Sequence, residues 1–220
     1  MTHTLQGKSV VIMTPARSFT VSYVKSLVDT IVWCEKNEVT CRFMTLDGSH
    51  VAQLRQSMTH GLKEVGGSFD YAVWIDSDIS WSVENFEDLL LSPHDITCGV
   101  YLISEDGAIS IHKTPESVAK HSQCLMKHSD LNMYRRYFEV GSSGFGFLSL
   151  KRPVIEKMNA DWFMSRNAFN IYKTGEKEEI LISGEDIAWC YNARENGYQV
   201  MCDSTLLVGH EKSSVWRVPR

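Results

Sequence analysis

The sequence predicts an α/β fold in which helices flank a mostly parallel central sheet. Short apolar runs rich in β-branched residues alternate with longer segments whose apolar residues recur at helical spacing, an order typical of βαβ units. Polar residues also cluster where several of the strands would end. The chain has 220 residues, of which 43% are hydrophobic and 22% are charged, so it can bury a sizeable core.

The first half of the chain carries the regular alternation of strands and helices. Strands are predicted over residues 9–13, 39–46 and 71–75, and helices over residues 21–36, 49–65 and 83–91. Ser49 is a suitable cap for the second helix, and Pro93 would stop the third. The first helix is indicated by apolar residues at helical spacing, namely Val21, Val24, Leu27, Val28, Ile31 and Val32. Right-handed crossovers would bring the carboxyl ends of the strands to one edge of the sheet.

The second half of the chain is less regular. Strands are predicted over residues 95–103, 108–112, 147–150 and 198–202, and helices over residues 152–158 and 184–196. Residues 114–135 are polar and weakly periodic, and no element is assigned to them. Gly197 would end the last helix. Residues 203–208 continue from the last strand to Gly209 and His210.

Charge and cysteine content argue against several classes of protein. The net charge of −5 comes from 22 basic and 27 acidic residues, which is not typical of a protein that coats a polyanion. The six cysteines form no Cys-x-x-Cys pair, so buried free thiols are expected rather than a disulfide framework or a zinc site. The sequence shows no signal-peptide pattern, and no apolar run reaches the length of a membrane span. A reducing, cytoplasmic setting is therefore expected.

The strand predicted at residues 71–75 ends on two carboxylates, Asp76 and Asp78, which lie one residue apart. Mg²⁺ and Mn²⁺ favour carboxylate oxygens and commonly share them with substrate phosphates. Side chains alternate faces along a strand, so both carboxylates can reach one ligand only if the backbone turns there. Asp-Ser-Asp is also ordinary turn chemistry. The motif alone therefore leaves a metal site and a plain turn as alternatives.

Four further features in the second half are candidates for chemistry. The glycine-rich segment 141–146 lacks the end of a P-loop and enters a strand, so it is either a wall beside a substrate or a tight turn. Glu185 and Asp186 open a helix, where acids complement the helix dipole or where one acts as a general base. His210 follows a strand in a polar break, which favours a ligand over a structural histidine. Trp162 is either a core residue or a flat face for a sugar ring.

Several of these motifs follow one another in a recognisable order. The set is Pro15, Asp47, Leu54-Arg55, Ile75-Asp-Ser-Asp-Ile, Gly144-Phe-Gly-Phe, Gly184-Glu-Asp and Gly209-His210. The order resembles the GT-A class of nucleotide-sugar-dependent glycosyltransferases over roughly residues 8–212, and most of all small glycosyltransferase-2-like proteins of bacteria and their viruses. The resemblance implies one Rossmann-like GT-A domain over residues 1–220. Its nucleotide-sugar half would be about 1–103, and its acceptor half, with a smaller sheet, about 104–220.

The resemblance also implies a role for each matching residue. Asp78 and His210 would bind Mn²⁺ or Mg²⁺, with Asp76 sharing the metal or touching the ribose. Asp186 would be the base of an inverting enzyme, and Glu185 beside it would bind acceptor or donor sugar. The residues implied for the nucleotide-sugar pocket are Thr14, Pro15, Arg17, Asp47, Arg55, Asp76, Ser77 and Lys212. Those implied for the acceptor site are Gly144, Phe145 and Trp162. The tail from Glu211, with Lys212, Trp216 and Arg217, would close over the pyrophosphate.

Together these roles imply a hexosyltransferase-type enzyme that moves a sugar from a UDP- or GDP-sugar to a hydroxyl of a glycan, a protein or another acceptor. The net charge does not indicate a nucleic-acid acceptor. Three alternatives are weaker. A haloacid-dehalogenase-like phosphohydrolase usually carries its Asp-x-Asp on the first strand, followed by Thr, whereas here it follows the third. A nucleotide-sugar pyrophosphorylase would need a glycine-rich loop after Met13. The third alternative is a non-catalytic module of the same fold that keeps the pocket.

Overall fold

The computed structural model describes residues 4–64, 69–113, 125–163, 169–174, 177–182 and 184–212. The strands are β1 (Ser9–Pro15), β2 (Thr40–Leu46), β3 (Tyr71–Ile75), β4 (Ile79–Ser80), β5 (Ile96–Val100), β6 (Ala108–His112), β7 (Leu125–Lys127), β8 (Tyr137–Glu139), β9 (Ser142–Ser143), β10 (Phe147–Lys151), β11 (Phe169–Thr174), β12 (Lys177–Ile182), β13 (Met201–Leu207) and β14 (Gly209–His210). The α-helices are α1 (Val21–Lys36), α2 (Val51–Glu64), α3 (Val83–Leu91), α4 (Arg152–Lys157) and α5 (Glu185–Glu195), with 3₁₀ turns at His128–Met133 and Ala160–Phe163.

Seven strands form the central sheet in the order β2-β1-β3-β10-β5-β13-β8. The pairs β1–β2, β1–β3 and β5–β13 are parallel, whereas β10 and β8 run antiparallel to their neighbours. Five of the seven strands therefore run in one direction, which confirms the predicted, mostly parallel sheet. A smaller sheet of β7, β6 and β9 lies to one side, and β4 pairs with β14.

The core has two parts, one on each face of the central sheet. Side chains alternate along β3, so Ala72 and Trp74 pack in one cluster, and Val73 and Ile75 pack in the other. The first cluster includes residues of α2, α4 and α5, and the second includes residues of α1 and α3. The helices thus cover both faces, as in a layered α/β domain. Within the described ranges, no helix combines the length and apolar character needed to cross a membrane.

Helix α1 has the predicted bounds but an unexpected buried face. The residues that it buries are Tyr23, Ser26, Thr30 and Cys34, whereas most of the aliphatic residues that predicted the helix are exposed. The hydroxyls of Ser26 and Thr30 are satisfied in the core, because Trp81 donates its backbone N–H to Ser26 (3.0 Å) and its indole N–H to Thr30 (2.8 Å). A polar row can face the core here because its hydrogen bonds are made.

The last long strand does not lie where the sequence predicted it. Strand β13 runs over Met201–Leu207 and not over 198–202, so the polar residues Asp203 and Ser204 belong to the strand interior. Asp203 is completely buried, and it accepts a hydrogen bond from Arg136 at 2.9 Å and another from the Thr205 hydroxyl at 2.7 Å. A polar residue after an apolar run ordinarily indicates the end of a strand. The local sequence offered no sign that Asp203 is paired in the core, because Arg136 lies 67 positions earlier.

Candidate active site

The turn after β3 holds the two predicted strand-end carboxylates. Asp76 donates its backbone N–H to the Gly146 carbonyl (3.1 Å), and Ile79 donates back to the Asp76 carbonyl (3.0 Å), which closes a tight turn over residues 76–79. The turn points the two side chains at different partners. Asp76 accepts from Arg55 at 2.8 Å, whereas Asp78 faces His210. The backbone therefore turns just after β3, and the two acids do not face one shared partner.

The short β4–β14 pair brings the C-terminal histidine to Asp78. His210 pairs with Ile79 and Gly209 pairs with Ser80, so residue 210 lies beside the turn although it is 132 positions away. The Nε2 atom of His210 lies 3.2 Å from the Oδ2 atom of Asp78, and its Nδ1 atom lies 2.7 Å from the Leu102 carbonyl oxygen. Because a carbonyl only accepts, Nδ1 carries a hydrogen. In the neutral ring, Nε2 then presents its lone pair on the Asp78 side.

This arrangement suits a divalent cation. A histidine ligand commonly donates its other ring N–H to a carbonyl, as His210 does to Leu102. Within the described ranges, no three His, Cys, Asp or Glu side chains gather in a way that could hold a metal ion. Asp78 and His210 would therefore supply two protein ligands, and the remaining positions would go to water or ligand oxygens. Mg²⁺ commonly combines one or two protein carboxylates with substrate phosphates and water, and Asp78 is such a carboxylate here.

Arg55 links the two groups of acids across the site. Its guanidinium donates to Asp76 and to Glu185, each at 2.8 Å, and the residue is only 3% exposed. It also lies over the ring of Phe145, 4.9 Å from the centroid. A buried guanidinium needs such partners because an unpaired buried charge is very unfavourable. Arg55 thus fixes the turn after β3 relative to the start of α5.

Asp186 lies in the first turn of α5 with its carboxylate held in place. Its Oδ1 atom accepts the backbone N–H of Ile187 at 2.7 Å. Burial raises the pKa of Asp186 from 3.8 to about 6, and the Glu185 carboxylate adds to this rise while the Arg55 charge opposes it. Gly184 makes room for the carboxylate, because a Cβ atom there would lie 2.6 Å from Oδ1.

Two cavities meet at Asp186 and Tyr101. The first, which we call the strand-end cavity, has a volume of about 350 Å³. Its lining residues are Pro15, Val51, Arg55, Asp76, Ser77, Asp78, Tyr101, Phe145, Glu185 and Asp186. The second, the inner cavity, has about 290 Å³. It is lined by Tyr101, Ile103, Ser110, His112, Leu125, Ser142, Ser143, Gly144, Asp186 and Ile187. A larger cavity of about 440 Å³ near Trp33 and Glu87 contains none of the candidate residues.

Tyr101 is a site residue that the sequence analysis missed. Tyr101 lines both cavities, and its hydroxyl accepts the backbone N–H of Gly146 at 3.1 Å. A Cβ atom at Gly146 would lie 2.6 Å from the tyrosine ring, so glycine is required for the ring to approach this closely. Tyr101 sits at the end of an apolar run, and the sequence offers no signal that separates it from a core residue.

His112 was missed for a similar reason. Its ring nitrogen Nδ1 lies 2.9 Å from the Ser142 hydroxyl, and both residues line the inner cavity. Strand β6 pairs with β9 at His112 and Ser142, and this contact between distant segments creates the wall. A histidine at the end of a short strand carries no signal of that pairing.

The predicted nucleotide-sugar residues divide into two groups. Pro15, Arg55, Asp76 and Ser77 line the strand-end cavity. The others, Thr14, Arg17, Asp47 and Lys212, do not line it. Thr14 is buried and its hydroxyl lies 2.5 Å from that of Tyr23. Arg17 and Asp47 face each other at 3.8 Å on the exposed ends of their strands. Lys212 donates to the Ile103 carbonyl.

The predicted acceptor residues also separate. Gly144 lines the inner cavity, and Phe145 lines the strand-end cavity beneath Arg55. Trp162 is 3% exposed and packs against Trp189 with ring centroids 5.6 Å apart, so it is a core residue rather than an open sugar platform. The predicted closing tail begins at Glu211, and all of it after Lys212, residues 213–220, lies outside the described residues.

Two solved structures share this architecture along most of the chain. A197 from STIV is 17% identical, with a TM-score of 0.54, and the match covers 96% of this chain and 98% of A197. The catalytic domain of Drosophila β1,4-galactosyltransferase 7, solved in complex with xylobiose, is 14% identical, with a TM-score of 0.51. That match covers 94% of this chain and 71% of the other. The chain has a GT-A fold. No protein-family model and no curated protein matches the sequence.

The GT-A fold explains why the candidate residues meet. The carboxyl ends of parallel strands β1 and β3 share one edge of the sheet, where ligands of α/β proteins bind. Strand β10 is inserted antiparallel between β3 and β5, so the glycine-rich segment before it starts beside the Asp76 turn. At these identities the likeness concerns the fold, and the chemistry must be inferred from the residues themselves.

Proposed function

We propose that this protein is a metal-dependent glycosyltransferase that moves a sugar from a nucleoside diphosphate sugar to an acceptor hydroxyl. The observation that carries the proposal is the position of Asp186 at the junction of two cavities, one of which is lined by Asp78, the partner of His210. In the proposal, the strand-end cavity holds the donor and the inner cavity holds the acceptor. The GT-A fold is consistent with both assignments.

The charge of the strand-end cavity supports a metal-bound diphosphate. Its lining includes four carboxylates, those of Asp76, Asp78, Glu185 and Asp186, and one guanidinium, that of Arg55. Arg55 is already paired with two of these acids. A diphosphate would be repelled by the remaining negative charge unless a cation entered with it. A divalent ion held by Asp78 and His210 would stabilise the negative charge that develops on the leaving diphosphate.

The transfer step needs a base at the boundary of the two cavities. The acceptor hydroxyl oxygen attacks the anomeric carbon of the donor, the bond from that carbon to the diphosphate oxygen breaks, and the hydroxyl proton passes to Asp186. The products are the glycoside and the nucleoside diphosphate. A pKa of about 6 suits a base that works near neutral pH, because the carboxylate is ionised there yet more basic than an exposed aspartate.

The inner cavity has the character of a site for the acceptor. Ser142, Ser143 and His112 offer hydrogen-bonding groups on one side, and Leu125 and Ile187 offer apolar surface on another. This mixture suits a sugar-like acceptor, whose hydroxyls need polar partners and whose C–H faces pack on apolar side chains. We infer UDP- or GDP-sugars as donors, and a hexosyl group as the sugar transferred.

Donor binding is the first test. A thermal-shift screen of UDP- and GDP-sugars, each with and without Mn²⁺, should give a rise in melting temperature only when both ligand and metal are present. Ligand at about 100 times its Kd should stabilise the folded state by about 2.7 kcal/mol. Asp78→Ala should lose the metal-dependent part of the rise. Asp161→Ala, which removes an exposed carboxylate elsewhere, should keep it.

Transfer is the second test. Asp186→Asn should retain metal-dependent donor binding and lose sugar transfer, because only the base is removed. An equal loss of donor affinity would show that Asp186 does not act as the base. Release of inorganic phosphate without sugar transfer would favour the phosphohydrolase alternative. Donor binding by the wild-type chain without transfer to any acceptor would favour the non-catalytic module.

A further inference from the structure

The outer side of α1 is apolar although it faces away from the core. Five aliphatic residues there, Val21, Val24, Val28, Ile31 and Val32, are between 42% and 85% exposed. We call these five residues the outer face of α1. The opposite side of the helix, which is buried, carries Ser26 and Thr30. This is the reverse of an ordinary surface helix, whose apolar stripe faces the core.

One margin of the outer face of α1 lies toward a free edge of the central sheet. Cys34 contacts Cys41 on β2, whereas Trp33 faces Phe86 on α3. Ile31, three residues before Cys34, is therefore on the β2 side of the helix. Strand β2 ends the sheet, and no described strand pairs with its outer edge.

Two exposed aromatic rings lie near the start of the helix. Phe19, just before the helix, lies 6.0 Å from Phe43 on β2, and these two rings are 38% and 39% exposed. Scattered exposed apolar residues need no explanation, but five exposed aliphatic side chains on one face of a single helix form a patch of the kind that marks an interaction site.

We propose that the outer face of α1 is the interface of a two-fold symmetric homodimer, in which α1 packs antiparallel to α1 of a second copy. A two-fold interface must be complementary to itself. With the axis at Val28, that residue meets Val28 of the second copy, and Val24 meets Val32 in both directions. The aliphatic positions therefore pair with one another along the stripe.

The charges beside the stripe are also complementary to themselves. Lys25 and Asp29 are exposed, lie one turn apart and flank the stripe on the same side. In the antiparallel pair, Lys25 of each copy lies within about 3 Å, measured along the helix axis, of Asp29 of the other, at a rise of 1.5 Å per residue. The two-fold axis therefore creates two Lys25–Asp29 pairs between the copies, one on each side of the axis.

The end of the helix gives a second charge match. Glu35 lies on the same side as the stripe, and in this register it reaches the first turn of α1 in the second copy, opposite Val21. That turn contains no acidic residue of its own. A carboxylate near a helix N-terminus is stabilising because of the exposed backbone N–H groups there.

The same charges argue against a membrane as the occupant. An interfacial helix that binds anionic lipids carries a basic polar face. Here both signs flank the stripe, and the whole chain has a net charge of −5. The stripe from Val21 to Val32 is only about 17 Å long at 1.5 Å per residue. The dimer should therefore have a small interface and dissociate reversibly on dilution.

The molar mass in solution tests the proposal. Light scattering and sedimentation over a range of protein concentrations should show a monomer–dimer equilibrium for the full wild-type chain. Val28→Glu places two carboxylates at the two-fold axis and should raise the dissociation constant at least about tenfold, the effect expected for a central interface residue. Leu207→Glu is the matched control: residue 207 is 49% exposed against 52% for Val28, and dimerisation should be unchanged.

Charge reversal and cross-linking provide independent readouts. Lys25→Glu and Asp29→Lys should each weaken the dimer, and the double variant should restore it. Val28→Cys should form a disulfide between two copies at position 28, identified by mass spectrometry, whereas Leu207→Cys should not. A wild-type chain that stays monomeric at every concentration would overturn the proposal. So would a dimer that survives Val28→Glu or gives no cross-link at position 28.

Discussion

Asp186→Asn should make the protein more stable at neutral pH. The folded state raises the pKa of Asp186 from 3.8 to about 6, mainly by burial. A raised carboxylate pKa means that the folded state holds its proton more tightly than the unfolded state does. The stability that this proton contributes is fully present below the unfolded pKa and is lost as the pH rises through about 6. Asparagine stays neutral throughout and avoids this loss.

The size of the effect follows from the shift. About two pKa units at 1.36 kcal/mol each give about 3 kcal/mol, and partial exposure of Asp186 reduces this to about 2 kcal/mol. For a chain of this length, about 2 kcal/mol corresponds to a rise in Tm of about 4–8 °C. The hydrogen bond from Ile187 survives, because the asparagine side-chain oxygen can accept the same backbone N–H.

Urea unfolding of the wild type and of Asp186→Asn at several pH values measures this directly. The two free energies of unfolding should agree near pH 4 and diverge as the pH rises to about 6, after which the difference should be constant. Asp47→Asn, at a strongly exposed carboxylate, should follow the wild-type curve. If Asp186→Asn is no more stable than the wild type above pH 7, the ionised carboxylate of Asp186 does not destabilise the folded state and the inference is wrong.

The remaining predictions concern the same site. The kcat/KM of sugar transfer should fall as the pH drops below about 6, because Asp186 becomes protonated; a flat profile there would exclude it as the base. Arg55→Met should destabilise the fold by about 1.5–3 kcal/mol in urea unfolding, since the partly buried carboxylates of Asp76 and Glu185 lose their charged partner. It should also raise the pH at which kcat/KM falls, because the Arg55 charge lowers the pKa of Asp186. Gly146→Ala should lower the free energy of unfolding by about 1–3 kcal/mol, because the added Cβ atom would clash with Tyr101. Gly61→Ala has open space around the added Cβ atom and should not lower the free energy of unfolding.

The individual elements could be read from the sequence because their signals are local. The alternating apolar runs predicted β1, β3 and β10 and the helices at Val21–Lys36 and Val83–Leu91, each within two residues of its bounds. Strand β13 was misplaced because a buried Asp203 resembles a turn residue until its ion pair with Arg136 is known. The sequence also did not predict which side of α1 is buried. Periodicity reveals that one side of a helix is apolar, but not whether that side faces the core.

The candidate site was predicted in part. Asp76, Asp78 and Asp186 follow recognisable local motifs, and the ordered set of motifs suggested that they share a site with His210. Tyr101 could not be predicted, because its position beside both cavities depends on the close approach of two glycines in another segment.

The sequence by itself determined the order of strands and helices and the places where polar side chains end the strands, because both depend on neighbours within a few residues. Only the tertiary structure decided which of those side chains meet. The pairing of β4 with β14 places His210 against Asp78, and the buried Arg55 joins Asp76 to Glu185. These contacts join segments that are distant along the chain, and their geometry is fixed by strand pairing and by the need of buried charges for partners.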